Sequence, residues 1–387
     1  MLLFKFLFWI SLFFIFFAFI GYPFSLFILN KLIKNKKNIR DTSLRPSVSI
    51  IIPAHNEEAV IEKKLNNLVR LNYPKELVEI IIASDNSTDR TNEIVSNFIN
   101  CNKEVAITLF KVNQRQGKTN AQNEAVKIAK GEILLFSDAN AIISGDAIIH
   151  LVSSFTEDNI IYVTGQLKYT NDSEHLSSEA ESNYWNYDLI MRKMESDIQT
   201  ITAGNGALYA IRENEYVDLN PIGSHDSDMP LHAGTNRKRA VYNEMAIAFE
   251  KAGETSKDEF KRKIRMSRGI LDTLFKNFGK YNVFKHGWFS YFYFGHRTLR
   301  YSLFLLHIIV FISNILIIRT STFYCITMTC QVVFYLFALI GKSKIIKGKI
   351  FYYTYYYCMT ITAQLIGAIN QITGKSKPFW EKAESTR

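Results

Sequence analysis

Asp138 and Asn140 directly follow an apolar run that begins at Glu132, in the stretch EILLFSDAN. The run predicts a buried strand, and oxygen-bearing side chains at the end of such a strand can bind a ligand. Carboxylate and amide oxygens are ligands that Mg²⁺ and Mn²⁺ prefer in proteins. The same two side chains could instead cap the helix that follows, because Asp and Asn are good N-cap residues.

Three other apolar runs are also followed by polar residues, and this favours ligand binding. SVSIIIP is followed by Glu57, VEIIIASD ends at Asp85, and AITLFKV precedes Lys118. Segments with apolar residues at helical spacing separate the runs, and strands that alternate with helices predict a parallel sheet covered on both faces. Ligands bind at the carboxyl ends of such strands, so we expect the four strand ends to meet at one crevice.

The composition excludes several other kinds of site. The chain has 387 residues, a net charge of +10 and four cysteines, none of which forms a CxxC pair. A disulfide scaffold and a zinc site are therefore excluded. Neither GxxxxGK[ST] nor GxGxxG is present, so P-loop and dinucleotide binding are not indicated. The basic residues cluster beside apolar runs, which favours a membrane over nucleic acid as the partner.

An apolar run at residues 6–29 predicts a membrane-spanning helix, because about 20 apolar residues cross the hydrocarbon core. A signal peptide is the alternative, but the run is long for one and no small-x-small cleavage site follows it. The basic stretch NKLIKNKKNIR comes next, and the positive-inside rule places it in the cytosol. We therefore expect a protein of the cytoplasmic (inner) membrane whose soluble middle faces the cytosol.

Three further apolar segments predict a multi-pass protein: residues 299–318, 322–340 and 350–372. The last of these is more polar than the others. If all three span the membrane, the basic tail lies outside, which opposes the positive-inside rule and leaves the topology of this end open. Residues 283–297 mix aromatic and basic side chains, which predicts an interfacial helix on the membrane.

Five segments of the soluble middle follow one another in the order and spacing of a known family: SIIIPAHNEE, ASDNSTDRT, NQRQGKTNAQNEAV, FSDAN and TAGNGALYAIR. Residues 45–270 thereby resemble family 2 glycosyltransferases, which are inverting enzymes that use nucleotide-diphosphate sugars. Membrane-bound members include hyaluronan, cellulose and poly-N-acetylglucosamine synthases. The resemblance implies an α/β fold, a GT-A (nucleotide-diphospho-sugar transferase) domain with transmembrane helices at its N-terminal and C-terminal sides.

The resemblance also implies a donor site for a UDP-sugar and a divalent cation, Mg²⁺ or Mn²⁺. Asp85 would bond the uracil-type base, Lys118 would balance the charge of the nucleotide, and Asp138 would contact the ribose or the diphosphate. Asn140 stands where the family has a second metal-binding Asp, so Asp138 and Asn140 are the expected metal ligands. The expected donor-binding residues are Pro53, Ala54, Glu57, Asp85, Lys118, Asp138 and Arg265.

Two further segments would serve the acceptor. TAGNGALYAIR would form the acceptor floor, and its site residues are Gly204, Asn205 and Gly206. In GSHDSDMPLHAG, aligned on its Pro-Leu pair, Asp226 takes the place of the family's catalytic base and would deprotonate the acceptor hydroxyl. Asp228 is the fallback base.

The chain departs from the family pattern at two places. His225 replaces the acidic residue that usually precedes the base, and we expect it to be structural. The Gln-x-x-Arg-Trp motif of processive synthases is reduced to RKIRM, in which Arg265 can still pair with diphosphate oxygens. The missing Trp removes a stacking platform for the acceptor sugar, which puts processive synthesis in doubt.

We therefore expect an inverting hexosyltransferase that moves a sugar from a UDP-sugar to a growing polysaccharide or a lipid-linked acceptor. A role in bacterial capsule or exopolysaccharide synthesis, alongside other assembly proteins, is the natural hypothesis. One alternative is a non-processive enzyme that adds a single sugar to a lipid carrier or glycolipid. Another is an inactive domain that binds a partner synthase. The expected divisions are a first span (1–30), a basic linker (31–46), the GT-A domain (47–270), interfacial helices (271–298), about three spans (299–372) and a tail (373–387).

Overall fold

A computed structural model describes residues 1–33, 39–171, 176–253, 255–343 and 348–379. The predicted basic linker and the predicted tail fall partly outside these ranges.

An eight-stranded sheet lies at the centre of the described structure. Strands β1 to β4 are parallel and lie side by side in the order β3-β2-β1-β4, as the alternation of strands and helices predicts. The strands are Val48–Ala54 (β1), Val78–Ser84 (β2), Ala106–Lys111 (β3), Ile133–Ser137 (β4), Ile142–Ile143 (β5), Ile160–Tyr169 (β6), Leu208–Arg212 (β7) and Arg239–Glu250 (β8).

The second half of the sheet, which the four predicted parallel strands do not include, is mixed. Strand β7 lies antiparallel between β4 and β6, β8 is parallel to β6, and β5 pairs antiparallel with the outer side of β8. The chain reverses direction between β6 and β7 after a 23-residue helix, instead of returning by the crossover that makes neighbouring strands parallel. The structure nevertheless remains an α/β sheet with helices on both faces.

Helices surround the sheet and extend from it at both ends of the chain. The helices are Leu2–Leu32 (α1), Ile61–Leu68 (α2), Thr91–Cys101 (α3), Lys118–Val126 (α4), Ala147–Val152 (α5), Leu176–Ile198 (α6), His225–Thr235 (α7), Ser256–Met266 (α8), Ile270–Phe275 (α9), Val283–His286 (α10), Trp288–Phe292 (α11), Leu303–Thr320 (α12), Thr322–Ser343 (α13) and Lys349–Ile372 (α14). Short turns of 3₁₀ or π type lie at Lys75–Leu77, Glu213–Glu215, Phe278–Tyr281 and Tyr293–Thr298, and one helical turn at Leu299–Tyr301.

Strand β1 is buried along its whole length because helices cover both faces of the sheet. Side chains alternate between the faces, so Ile50 and Ile52 enter one apolar cluster and Ile51 enters the other. Helices α2 and α5 pack in the first cluster, and α4 packs in the second. Burial of β-branched side chains on both faces fixes the register of β1, and with it the place where its polar end emerges.

Within the described residues, three helices are long and apolar enough to cross a membrane: α1, α12 and α13. They correspond to the predicted spans at 6–29, 299–318 and 322–340. Helix α14 matches the remaining predicted segment in length, but its tyrosines and other polar residues keep it out of this group. A third span at the C-terminal side therefore stays a prediction.

Helix α1, the first of these three helices, is bonded to the sheet domain. The Tyr22 hydroxyl on α1 donates to Glu195 Oε1 on α6 at 2.5 Å, and both side chains are fully buried. His296 lies between Glu195 and Asp188, with ring nitrogens 2.7 and 2.9 Å from their carboxylates. Arg300 donates to the same Asp188 at 2.9 Å. These bonds connect α1, α6 and the segment before α12 through buried polar groups.

The predicted interfacial segment at 283–297 is not one helix. It is divided at Gly287, where φ is +63°, a left-handed value that glycine adopts at little cost. On either side of this break, Phe284 is 97% exposed and Trp288 is 40% exposed. Exposed aromatic rings beside a membrane helix are typical of residues at the headgroup level.

Candidate active site

A cavity of about 1820 Å³ lies at the carboxyl ends of β1, β2 and β4. The segment that follows β3 also lines it, through Arg115, Gly117 and Lys118, so the four predicted strand ends meet at one crevice. The cavity wall includes every site residue proposed from the sequence except Gly204. The residues that line it are Pro53, Ala54, Glu57, Asp85, Lys118, Asp138, Asn140, Asn205, Gly206, Asp226 and Arg265.

The loops that follow β1 and β2 are bonded to each other at one end of the cavity. Asn56 has a φ of +53°, and its Oδ1 accepts a hydrogen bond from the Thr88 N–H at 2.7 Å. The Glu57 N–H donates to Thr91 Oγ1 at 2.7 Å. These bonds hold the wall rigid, and Glu57 is buried within it.

Asp85 is 4% exposed and has two backbone partners. Its carboxylate accepts hydrogen bonds from the Gln116 N–H at 3.0 Å and from the Gly117 N–H at 2.9 Å. Gly117 has a φ of +96°, so the turn that presents these N–H groups favours glycine. Asp85 thus fixes the loop that begins α4. Each carboxylate oxygen can accept more than one hydrogen bond, and a contact with a nucleobase stays a prediction.

Lys118 and Asp138 form an ion pair in the middle of the cavity. Lys118 is the first residue of α4, and its ammonium bonds Asp138 Oδ1 and lies 3.5 Å from the Gly206 carbonyl oxygen. The two side chains are 25% and 30% exposed, so an entering ligand can reach both. A charged pair of this kind offers one donor and one acceptor to a phosphorylated ligand.

Asp138 and Asn140 place two oxygen-bearing side chains just after β4. The described residues contain no group of three His, Cys, Asp or Glu side chains that would hold a metal ion. Mg²⁺ and Mn²⁺ are nevertheless commonly bound by one or two carboxylates, with water and substrate phosphates completing the coordination. The donor set therefore fits a cation that enters together with a diphosphate.

Arg265 approaches the same place from α8. Burial lowers the pKa of Arg265 to about 10, the neighbouring charges of Arg262 and Arg268 act in the same direction, and Asp138 opposes them. Arg262 is itself paired with Glu259 at 2.8 Å. The charged form of an arginine that lies close to other cations is stabilised when an anion binds beside it. This agrees with the predicted contact between Arg265 and the diphosphate oxygens.

The predicted acceptor floor is a tightly bonded turn. Asn205 is 2% exposed, and its amide donates to the Thr164 hydroxyl at 3.1 Å and to the Gly165 carbonyl oxygen at 2.6 Å. Its Oδ1 accepts from the N–H groups of Ala207 and Leu208. The side chain of Asn205 therefore shapes the turn, and Gly206 is the residue that faces Lys118.

Asp226 and Asp228 lie in the first turn of α7, and their bonds differ. The Ser224 hydroxyl donates to Asp226 Oδ1, whereas the Ser224 N–H donates to Asp228 Oδ2 at 3.2 Å. Asp228 thus caps the start of the helix. Burial raises the pKa of Asp228, with the charge of Asp226 as a further cause. This geometry favours Asp226 over Asp228 as the group available to an acceptor.

His225 is 2% exposed and packs against Phe136 of the sheet. Its Nδ1 lies 2.9 Å from the Tyr209 hydroxyl and its Nε2 lies 3.2 Å from the Tyr216 hydroxyl. Burial lowers the pKa of His225 to about 3, with the Lys118 charge as a second cause. The imidazole is therefore neutral and holds the start of α7 in place.

The C-terminal segment also reaches the site, which its sequence did not predict. Arg268 Nη1 donates to the carbonyl oxygens of Lys377 and Pro378 at 2.7 and 3.0 Å, and the Phe379 ring lies 4.9 Å from the Arg115 guanidinium. Phe379 also lines the cavity beside the loop that Asp85 holds. No local pattern indicates this contact, because it joins residues more than 100 positions apart.

Two family models match the chain over the fold and cavity just described. The model for glycosyl transferase family 2 matches residues 49–212, and the model for glycosyl transferase family group 2 matches residues 133–340. The chain belongs to the family 2 glycosyltransferases, and it is an enzyme of that class.

Three curated relatives illustrate the range of the family. The chain is 30% identical over 246 residues to the probable glycosyltransferase YdaM of Bacillus subtilis, which covers 58% of this chain. It is 29% identical over 163 residues (42% of this chain) to beta-monoglucosyldiacylglycerol synthase of Nostoc sp.. It is 25% identical over 254 residues (63% of this chain) to poly-beta-1,6-N-acetyl-D-glucosamine synthase of Staphylococcus aureus. The chain spans 55%, 35% and 59% of the lengths of these relatives, in that order.

One solved structure resembles nearly the whole chain. It is the mannosyltransferase PcManGT from Pyrobaculum calidifontis in complex with GDP-Man and Mn²⁺, with a TM-score of 0.72 and 18% identity. The likeness covers 95% of this chain and 99% of that one. It confirms the predicted GT-A fold, with helices long and apolar enough to span a membrane at both ends.

Proposed function

We propose that this enzyme transfers a sugar, with inversion, from a UDP-sugar to a polysaccharide or lipid-linked acceptor at the cytosolic face of the cytoplasmic membrane. Residues 47–270 form the catalytic domain in this proposal, and the helices on either side hold it at the membrane.

One observation carries the proposal. The Lys118–Asp138 pair and the Asp226 carboxylate line the same cavity, so groups suited to a nucleotide diphosphate and a general base share one enclosed space. A binding module would need only the first of these. A group-transfer enzyme needs both, with the acceptor between them.

The chemistry follows from these positions. Asp226 takes the proton of the acceptor hydroxyl as that oxygen attacks the anomeric carbon, and the bond to the nucleotide diphosphate breaks. Lys118 and Arg265 donate hydrogen bonds to the phosphate oxygens, whose negative charge grows as the bond breaks. A bound Mg²⁺ or Mn²⁺ would supply further stabilisation of the leaving diphosphate.

The comparisons support the donor class more than the particular donor. PcManGT is in complex with GDP-Man and Mn²⁺, which agrees with a nucleotide sugar and a divalent cation. Our choice of UDP rests on the family resemblance, in which Asp85 would bond a uracil-type base, and Asp85 lines the cavity. The relatives named for poly-N-acetylglucosamine and for a glucosyl lipid agree with either acceptor class.

Transfer of a single sugar to a lipid is the second candidate function. Met266 stands where processive synthases have the Trp of their Gln-x-x-Arg-Trp motif, and it is 48% exposed. A flexible aliphatic side chain is a poorer platform for a sugar ring than an indole. This feature favours an enzyme that releases its product after one transfer.

The test is donor turnover in membranes that contain the full-length protein. Radiolabelled UDP-glucose, UDP-galactose, UDP-N-acetylglucosamine, UDP-glucuronate and GDP-mannose are each supplied with Mn²⁺ or Mg²⁺, and Asp226→Asn is run in parallel. Label in large polymer that disappears in the variant supports a synthase, and label only in the lipid fraction supports single transfer. Transfer from GDP-mannose alone contradicts the UDP assignment, and no turnover of any donor contradicts the proposed function.

A further inference from the structure

The cavity continues beyond Asp226 toward the membrane helices. Tyr293 and Arg297 belong to the π turn Tyr293–Thr298, which leads through one helical turn into α12. Tyr301, at the end of that turn, also lines the cavity. A molecule that enters at this end therefore does so beside the start of a membrane-spanning helix.

Arg297 lines this end of the cavity with a positively charged side chain. Its Nη2 donates to the Ser227 hydroxyl at 2.9 Å, and its guanidinium lies 4.7 Å from the centre of the Tyr301 ring. Ser227 directly follows Asp226 in the chain. Arg297 is thus placed next to the proposed base, on the side of the cavity that faces the membrane.

No carboxylate of the described residues lies within ion-pair distance of Arg297. Arg297 is half-buried, and the buried arginines nearby differ from it in this respect: Arg192 and Arg300 bond Asp188 at 2.6 and 2.9 Å. Partial withdrawal of a guanidinium from water is costly. The charges of Asp226 and Asp188, which act on Arg297 from beyond ion-pair distance, and the contacts with Ser227 and Tyr301 compensate this cost in part. Its remaining N–H groups can donate to a ligand in the cavity.

We propose that Arg297 binds the phosphate of a membrane-borne acceptor lipid, and that this contact places the acceptor hydroxyl beside Asp226. The inference rests on the proposed function and deepens it by naming the acceptor class: a lipid that carries a phosphate ester close to the hydroxyl that is glycosylated. A planar guanidinium binds phosphate oxygens through two parallel hydrogen bonds, so it distinguishes such a lipid from a neutral one.

The first experiment measures binding without a donor, so its result does not depend on catalysis. The full-length protein in neutral maltoside micelles is titrated with dodecyl phosphate, dodecanol and inorganic phosphate, and the shift in thermal unfolding midpoint gives the affinity. The variants are Arg297→Gln, Arg297→Lys and the control Arg319→Gln. Arg319 is exposed at the other end of α12, so it also lies beside the membrane but outside the cavity.

We expect dodecyl phosphate to bind more tightly than dodecanol, and Arg297→Gln to weaken that binding roughly tenfold or more, since it removes one partner of a desolvated ion pair. Arg297→Lys should retain part of the affinity, and Arg319→Gln should bind as the parent does. Equal binding by Arg297→Gln and the parent would overturn the inference. Inorganic phosphate that binds as tightly as dodecyl phosphate would also overturn it, because the ligand would then be soluble.

The second experiment measures transfer from the donor to phosphatidylglycerol and to diacylglycerol in mixed micelles. We expect the parent to prefer the phosphate-bearing lipid, and this preference to fall in Arg297→Gln but not in Arg319→Gln. Equal use of both lipids by the parent overturns the inference while leaving the proposed function intact. If no donor is turned over but dodecyl phosphate binding still depends on Arg297, the proposed function fails and the phosphate site stands.

Discussion

The backbone N–H of Gly204 donates a hydrogen bond of 2.7 Å to the carbonyl oxygen of Asp226. This bond joins the turn at the cavity floor to the first turn of α7, which carries the proposed base. Gly204 has no room for a side chain, because a Cβ built there would overlap the hydroxyl of Tyr162. The position of Asp226 therefore depends on a residue that does not itself line the cavity.

Replacement of Gly204 by alanine should move this turn and misplace the base. Since a displacement of about 1 Å can lower a rate roughly 100-fold, we expect a fall of that order in kcat with little change in the donor KM. Gly145→Ala is the matched control, because a Cβ at Gly145 meets no atom within 4 Å. Steady-state kinetics of both variants would check this, and equal activity of the two would contradict it.

Asp226 and Asp228 should respond differently to substitution. Asp226→Asn removes the proton acceptor, and we expect kcat to fall by roughly 10²- to 10⁴-fold with an unchanged melting temperature. Asp228→Asn weakens a helix cap, and we expect a loss of stability of about 1 kcal/mol with activity kept within tenfold. Kinetics and thermal unfolding of both variants test this assignment. A greater loss of kcat in Asp228→Asn than in Asp226→Asn would indicate that Asp228 is the base and that Asp226 is the structural residue.

Lys118→Gln should change donor and cation affinity in opposite directions. Loss of a charge-assisted hydrogen bond of about 1.5–3 kcal/mol to the diphosphate is expected to raise the donor KM by roughly tenfold or more. The concentration of Mn²⁺ that gives half-maximal activity should fall, because the ammonium no longer competes for the Asp138 carboxylate. Lys111→Gln, an exposed position at the end of β3, is the control. A higher Mn²⁺ requirement in Lys118→Gln would show that the lysine supports the cation.

His296 should make the stability of the protein depend on pH. Burial alone would lower the pKa of His296, but the carboxylates of Glu195 and Asp188 raise it above its ordinary value. The raised pKa means that this contribution to stability is fully present below about pH 6.5, the unfolded value, and is lost as the pH rises through the folded pKa.

The melting temperature of the parent should therefore fall between pH 6 and pH 9, and that of His296→Gln should change less. His232→Gln is the control, since burial lowers the pKa of His232 instead. Thermal unfolding in detergent across this range measures the difference. A variant that keeps the full pH dependence of the parent would assign the effect to another group.

Arg115 and Phe379 both line the cavity, and we expect their contact to support donor binding. Their cation–π contact at a partly exposed position contributes about 0.5–1 kcal/mol, so Phe379→Ala is expected to raise the donor KM roughly two- to fivefold. The double variant with Arg115→Gln should be no worse than Arg115→Gln alone, because both changes remove the same contact. Additive effects on the donor KM would show that the two residues act separately.

The polar ends of β1, β2 and β4 could be predicted because topology leaves few choices. Parallel strands that alternate with helices must end on the same edge, so Asp85 and Asp138 meet there whatever the loops do. The burial of the strands themselves follows from their apolar runs. The antiparallel half of the sheet has no such repeating pattern in the sequence, so its strand order could be read only from the structure.

The hydrogen bonds of individual site residues could not be predicted from the spacing of residues in the sequence. Asp226 and Asp228 are two positions apart in the same acidic stretch, and only the direction of the Ser224 N–H shows which one caps the helix. Arg297 and Phe379 reach the cavity through contacts with residues that are distant in the chain. Local patterns carry no signal for such contacts.

Tyr22 gives helix α1 a structural role beyond any role as a membrane anchor. Its hydroxyl is a buried partner of Glu195, so a protein shortened to begin at the sheet domain would lose that donor and uncover the apolar surface around Met191 and Phe292. A foreign anchor of equal length and hydropathy would leave the same gap. The helix and the enzyme are therefore one folding unit, and chimaeras that exchange anchors between relatives should need the partner residues on α6 to be exchanged with them.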